Sequence, residues 1–476
     1  MGTLLRGTST PAPAVAPRPP AGRDGLRRLQ AWRAAGIAAL WLTSLFVVAL
    51  WVSGGGVQAA GQGGGPLVTT LGRLTGLVSA NLLLYQVLLM ARVPLFERAF
   101  GRDALTQAHR RTGFWSFWLF LAHIVLITLG YAAVAGSGVL AQLWLLVRDY
   151  PGMLLAAAGT ALLVGVVGLS IRRARRRMRY ESWHLLHLYA YLGVGLALPH
   201  QLWTGADFLA SPAATWYWWT LWAVAAGCAL VYRVAVPLLR SARHDLRVAE
   251  VVPDGRDGVT VRMTGRGLDR LGVRAGQFLV WRFLDGPGWT RGHPFSVSAR
   301  PAPDGLSITA RVVGDGTARL TRLRPGTRVL VEGPYGHLVG AHREGTKLLM
   351  LGAGAGVAPL VALLQAEQYA PGDATLVTRD STPEAALLSG DVAALVRERG
   401  VRHQPLDGPR THVSSPWLPG AYEAWQGPQL IAHLAPDLAE HDVYLCGPVP
   451  WMDAVHADLD RLGVPRSRVH SEAFAV

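Results

Sequence analysis

The sequence predicts a six-span α-helical membrane bundle followed by an antiparallel β-barrel and a parallel α/β nucleotide-binding sheet. Three observations lead there. Half of the 476 residues are hydrophobic and the mean hydropathy is +0.25, too apolar for a wholly soluble chain. Apolar runs of about 20 residues recur through the first 236 positions, each long enough at about 1.5 Å per residue to cross a roughly 30 Å hydrocarbon core. Beyond residue 245 these give way to short alternating runs separated by Gly, Pro and Asp turns, the pattern of strands.

Residues 1–32 are rich in Pro, Ala, Gly and Arg without an apolar run, which predicts a disordered basic tail. The membrane domain is expected at 33–240, with spans at 34–53, 66–90, 113–135, 152–171, 184–203 and 214–236. A cleavable signal peptide is the rival reading of the first span, but its apolar region is too long. The runs at 258–263 and 305–313 predict a small antiparallel barrel within 241–342. From 343 to 476, strand-like runs at 348–351, 374–377 and 442–446 alternate with helix-like runs at 359–369 and 391–399. That order predicts a parallel sheet of nucleotide-binding type.

Charge separates the two halves. The chain holds 46 Lys+Arg against 31 Asp+Glu, a formal net charge of +15. Residues 1–236 carry 20 Arg and 6 acidic residues, whereas residues 237–476 are nearly balanced. A nucleic-acid footprint would need the excess on a soluble domain; here it marks topology instead. Arg92, Arg98, Arg102, Arg110 and Arg111 lie between spans two and three, and six Arg fall within 172–179, between spans four and five. The segment 53–66 has no charge, and the loop between spans five and six carries only Asp207. The positive-inside rule then predicts a multi-pass plasma-membrane protein with both termini and the soluble half in the cytoplasm. Two cysteines, Cys228 and Cys446, cannot supply the four thiolates of an iron–sulfur cluster or a zinc finger.

Ionisable side chains inside spans are costly and mark function. His109 and His123 lie 14 residues apart in span three, within about 40° of one helix face. His187 and His200 lie 13 apart in span five, which runs in the same direction, so the four imidazoles fall at two matched depths. Two stacked haems could be clamped there, each iron taking one imidazole from each helix. Thirteen residues turn an ideal helix by about 220°, so His187 and His200 face the same way only if the helix is distorted; Pro199 supplies a kink. His184 competes with His187 without improving the phase. Arg73 in span two shares the outer depth, either snorkelling to the surface or holding a haem propionate or a negatively charged acceptor.

Two further segments carry phosphate chemistry. Arg291-Gly292-His293-Pro294-Phe295-Ser296 forms a polar island, followed by Arg311 and a turn that includes Gly316 and Thr317; an Arg with Gly and Thr at a turn can cradle a pyrophosphate. Gly352, Gly354 and Gly356, ending in Pro359, follow an apolar strand and open a helical pattern. Glycines there let a dinucleotide phosphate approach a helix N-terminus.

In these residues the chain resembles the NADPH oxidase and ferric reductase superfamily, a six-span bis-haem domain fused to a ferredoxin-reductase-type module. The resemblance implies haem ligation by His109, His123, His187 and His200. It implies FAD bound by Arg291, His293, Pro294, Phe295 and Ser296, whose hydroxyl lies near the flavin N5, and by Arg311, Gly316 and Thr317. NADPH or NADH is implied at Gly352, Gly354, Gly356 and Pro359 and beside Cys446, Gly447 and Pro448. Phe474 in Glu472-Ala473-Phe474 resembles the aromatic that covers the flavin. Arg379, after the second strand of the sheet, could select NADPH through a 2′-phosphate. Gly316 stands where many oxidases carry Trp, and Ile127 where eukaryotic oxidases carry a second outer His. The implied activity is electron transfer from cytoplasmic NAD(P)H through FAD and two b-type haems to an extracytoplasmic acceptor, ferric iron being the first choice. Oxygen reduced to superoxide, or a partner protein receiving the electrons, are alternatives, and a haem-free membrane-anchored flavin reductase is a third. Nucleic acid is excluded as a partner, and the sequence is silent on oligomeric state.

Overall fold

A computed structural model describes residues 23–171, 180–410, 412 and 414–474. The chain forms two compact units, Arg27–Arg243 and one built from His244 onward.

The first unit is helical. Five helices are long and apolar enough to cross a membrane: Gln30–Ser53, Gly64–Met90, Ala104–Ala135, Met153–Ser170 and Pro212–His244. The expected fifth span corresponds to the helix Tyr180–Trp203, which is not among the five. It has the length, but His187, Tyr189, Tyr191, Pro199, His200 and Gln201 dilute its apolar character. The Arg run at 172–179 lies outside the described residues. The first helix starts at Arg23, nine positions before the end of the expected tail, because Leu, Arg and Gln between 26 and 30 are good helix formers and extending an existing helix is cheap. Pro212–His244 includes a π-helical turn at Val231–Ala235.

The helices Gly64–Met90 and Arg102–Ala135 approach closely because small residues line their contact. A Cβ on Gly72 would sit 2.9 Å from the Ile127 nitrogen, and one on Gly130 would sit 2.7 Å from the Thr69 nitrogen. A core of Val47, Leu77, Leu84, Leu163, Val194 and Trp218 holds the unit together.

The second unit begins with six antiparallel strands in two sheets: β1 (Arg247–Asp254), β2 (Gly258–Thr264) and β5 (Gly305–Arg311) in the order β1-β2-β5, and β3 (Phe278–Phe283), β4 (His293–Ser296) and β6 (Val329–Tyr335) in the order β4-β3-β6. Single antiparallel bridges, Val297 with Ile308 and Arg247 with Arg328, join the sheets at both seams. The expected barrel is therefore two three-stranded ladders meeting at seams one bridge wide. Val261, Leu279, Trp281, Val297 and Ile308 are fully buried between them.

The remainder is a five-stranded sheet, ordered β11-β10-β7-β8-β9, in which every pairing is parallel. Its strands are β7 (Lys347–Ala353), β8 (Ala374–Asp380), β9 (Arg402–Asp407), β10 (His441–Pro448) and β11 (Val469–Phe474). Residues 348–351 and 374–377 are buried throughout, as expected of strands covered on both faces. The chain order reverses between β7 and β10, and ligands bind at such switch points, outside the carboxyl ends of the strands.

Candidate functional site

In the helical unit the structure brings the expected histidines together across helices. The His109 and His187 rings lie 6.0 Å apart at 75°, room for one metal ion between two imidazole nitrogens at about 2 Å from each. His123 is fixed from the helix Gly64–Met90: its Nδ1 lies 2.8 Å from the Gly72 carbonyl. The ring fits only because position 76 has no side chain, since a Cβ there would lie 2.4 Å from Nδ1. A ring whose Nδ1–H donates to a carbonyl keeps Nε2 free for a metal. His200 follows Pro199, which lies inside the helix without ending it, and a Cβ on Gly152 would lie 2.7 Å from its backbone nitrogen. His187 is held differently. Ser170 Oγ donates to the Val166 carbonyl at 2.7 Å, so toward His187 Nδ1, 3.2 Å away, it can only accept. Trp183 Nε1 donates to the same hydroxyl at 3.3 Å.

The other two rings sit against backbone of their surroundings, His109 against Gln86 and His200 against Ala197. Each expected pair thus brings two buried imidazoles near one another, His109 with His187 and His123 with His200, a donor set that fits two haem irons.

Arg73 does not stand alone. Its Nε donates to Asp207 Oδ2 at 2.9 Å and its second nitrogen pairs with Oδ1. It immediately follows Gly72, whose carbonyl holds His123.

In the second unit, β7 leads through a tight turn, Gly354–Gly356, into the helix Val357–Ala366. Gly354 has φ +56°, where an L side chain is strained. A Cβ on Gly356 would lie 2.0 Å from the Cys446 carbonyl, so the turn packs directly on β10. Gly352 pairs with Cys446, and Cys446 pairs in turn with Glu472 of β11, while Pro448 pairs with Phe474. Pro359 is buried in the helix's first turn. Cys446 is fully buried, and burial reinforced by the Glu472 charge pushes its thiol up; it stays protonated and is no nucleophile.

The segment His293–Ser296 is β4, with Ser296 opposite Phe278 and Pro294 opposite Val280. Ser296 is buried, and the Phe295 carbonyl accepts from Trp281 Nε1 at 2.9 Å. Arg291, His293 and Gly316 line one recess, so the two expected phosphate segments converge. A Cβ on Gly316 would lie 2.8 Å from the His293 ring, which accounts for glycine where a larger residue was noted in the oxidases. Thr317 closes its own turn: Oγ1 accepts from the Val313 and Gly314 nitrogens and donates to the Gly314 carbonyl.

Arg311 reaches the nucleotide sheet, donating to Asp380 Oδ1 and to the Ala385 carbonyl, each at 2.7 Å, with Asp257 on its other nitrogen. Arg379 is buried at 5% exposure and donates to the Leu406 carbonyl at 3.2 Å. Burial lowers its pKa. Asp380, beside Asp407 in register, is pushed up to about 6 by burial, with Arg311 opposing and Asp407 adding. Sequence reasoning passed over Asp380, although an acidic residue some 20 positions beyond a glycine turn is a ribose-binding signal. It also missed Ser170, Gly72 and Gly76, for which a single sequence offers no signal.

Residues 75–198 match the family of ferric reductase like transmembrane components. The chain is 26% identical over 211 residues to the ferredoxin reductase component of 3-ketosteroid-9-alpha-monooxygenase from Rhodococcus rhodochrous, covering 43% of this chain and 57% of the relative. It is 28% identical over 215 residues to the reductase subunit of stachydrine N-demethylase from Rhizobium meliloti, covering 42% and 57%. The chain thus spans a little over half the length of these relatives. The flavohem-like FAD/NAD binding domain of nitric oxide dioxygenase from Vibrio cholerae is 21% identical, with a TM-score of 0.40 over 49% of this chain and 99% of that one. The helical unit carries five helices long and apolar enough to cross a membrane, and the family match falls within it. The chain is thus similar to a ferric reductase like transmembrane component over residues 75–198 and, over 42–43% of its length, to reductase components of monooxygenase and demethylase systems.

Proposed function

We propose that the protein is a transmembrane oxidoreductase carrying electrons from cytoplasmic NAD(P)H, through FAD and two b-type haems, to an extracytoplasmic acceptor. The observation that supports it best is the approach of the four imidazoles in two pairs, His109 to His187 and His123 to His200, with Gly72 and Ser170 holding one ring of each. When bound, the flavin would take two electrons from NAD(P)H and release them singly, and the haems would carry them onward.

The chain's own work is placement. His109 and His187 would hold the inner iron, His123 and His200 the outer one. Gly72 and Ser170 orient one ligand of each pair, which fixes the tautomer. Gly352, Gly354 and Gly356 would let a dinucleotide phosphate approach the N-terminus of Val357–Ala366, where the helix dipole favours negative charge. Arg291, His293 and Gly316 would border the flavin's phosphates, Ser296 would hydrogen-bond its ring, and the protonated Cys446 would pack beside the nicotinamide. Phe474, ending β11 opposite Pro448, would cover the flavin. The Arg distribution supports a cytoplasmic module. Family resemblance favours ferric iron as the acceptor.

The test is the reduced-minus-oxidised absorption spectrum of the purified full chain, with haem stoichiometry. A b-type signal that falls by half in His123→Leu and in His109→Leu is the expected result. A wild-type protein without haem that still oxidises NAD(P)H would make it a membrane-anchored flavin reductase.

A further inference from the structure

The two outer imidazoles belong to different helices, and one ion pair joins the backbone that supports them. On one side the Gly72 carbonyl holds His123 Nδ1 at 2.8 Å, and Arg73 is the next residue. On the other side the His200 carbonyl accepts from the Thr204 and Gly205 nitrogens, each at 2.9 Å. The turn after the helix Tyr180–Trp203 therefore starts from the proposed ligand itself. That turn is tight, because a Cβ on Gly205 would lie 2.5 Å from the Gln201 carbonyl oxygen. Thr204 Oγ1 fixes it from outside by donating to the Pro151 carbonyl at 2.8 Å, next to the Gly152 that backs His200. The turn leads into Ala206–Leu209, which presents Asp207. Arg73 Nε then donates to Asp207 Oδ2 at 2.9 Å, and Nη2 pairs with Oδ1. The end of the first helix abuts the pair, since a Cβ on Gly54 would lie 3.6 Å from Asp207 Oδ1 and 3.7 Å from Arg73 Nη2.

Contacts thus run unbroken from one outer imidazole to the other: His123 to Gly72, Arg73 to Asp207, and back along the 200–207 turn to His200. A bidentate arginine–carboxylate pair fixes direction as well as distance. With the Asp207 side chain only 13% exposed, solvent and salt screen this pair less than a surface one. We infer that Asp207 is a positioning residue for the outer haem: through Arg73 it fixes the distance and angle between His123 and His200. The inference rests on the proposed function. It leaves room for the haem's own ionised carboxylates, because the pair uses Nε and Nη2 and spares Nη1 of Arg73 to donate to one of them. If Arg73 served a haem carboxylate alone, Asp207 would compete with the haem for the guanidinium, and its removal would tighten haem binding. The two roles of Arg73 therefore predict opposite signs for one substitution.

The experiment follows haem loss from the purified full chain to excess apomyoglobin, with His123→Leu supplying the spectrum of the inner haem alone. In Asp207→Asn the amide nitrogen cannot accept from Arg73, so one charge-assisted bond is lost and the other is weakened. The outer haem should then leave about tenfold faster, while the inner haem leaves at its wild-type rate. The low-spin ferric EPR signal of the outer haem reports the angle between its two imidazole planes, and it should shift in the same variant. Asp207→Glu keeps the carboxylate and should return both readouts toward wild type. Arg73→Lys keeps a cation for a haem carboxylate but lacks the planar fork, and it should behave like Asp207→Asn. An Asp207→Asn protein that holds its outer haem as long as the wild type or longer overturns the inference, as does an unshifted outer EPR signal. Equal loss of both haems also overturns it, since the ion pair bears on one pair of ligands only. A wild type that contains no haem overturns the proposed function, and the inference with it.

Discussion

The two units place their polar groups by opposite means. In the helical unit the working side chains are few and are positioned by what is missing beside them: Gly76 leaves space for His123, and Gly152 leaves space for the backbone at His200. In the second unit they are crowded at strand ends and held by one another, as Arg311 is by Asp257 and Asp380. A lipid-facing bundle cannot afford a web of buried ions, so it orients a ring with a backbone carbonyl and a shape. A water-facing sheet can balance several charges across its edge.

The strongest challenge to that contrast is to fill a gap. Gly76→Val should displace the His123 ring, since its Cβ would start 2.4 Å from Nδ1. We expect loss of the outer haem signal with the inner one retained, while NAD(P)H still reduces the flavin. Haem stoichiometry and flavin bleaching measured on the same sample check this. Retention of two haems would show that shape is not what holds the ring.

A smaller effect should come from the charged edge. Asp380 ionises near pH 6 when folded, above its ordinary 3.8. A raised carboxyl favours the folded state at pH values below the unfolded pKa and loses that contribution as pH climbs through the folded one. Between pH 4 and 6 the second unit should therefore lose on the order of 2 kcal/mol from this group. Asp380→Asn should flatten that segment of the denaturation-midpoint profile. An unchanged slope would mean that Arg311 already cancels the cost of burial.

The mildest expected change tests whether a side chain in the bundle can do what a carbonyl does. Ser170→Ala removes the acceptor for His187 Nδ1, worth about 1 kcal/mol. The inner haem should bind less tightly and shift its reduction potential, with Ser170→Thr restoring both. Potentiometric titration resolves the inner from the outer centre, and no shift in either would leave the hydroxyl a mere helix-bending group.

Much of this was legible in the chain itself. Imidazoles inside apolar helices stand out because the bilayer makes them expensive, and the strand, glycine turn and helix from Lys347 to Ala366 announce themselves by local pattern alone. The contacts that finish the site were not legible. Arg73 meets Asp207 across 134 residues, and Arg311 meets Asp380 across 69; such pairs exist only once distant elements are folded. The apolarity of Tyr180–Trp203 was overestimated because the side chains that give it chemistry are those that dilute it. The seams of the β-sheets, each a single bridge, depend on sheet curvature that strand pattern does not encode.

The order of strands in the nucleotide sheet has a consequence for how the protein is made. Gly352 and Cys446 are neighbours across β7 and β10, yet 94 residues separate them in the chain. The glycine turn therefore has no partner wall until the ribosome has passed Pro448, long after every apolar helix has emerged. Until then the exposed flank of β7 is an open edge of buried-type residues, the kind of surface that invites aggregation. A chain of this design makes its apolar helices first and closes the β7–β10 edge last.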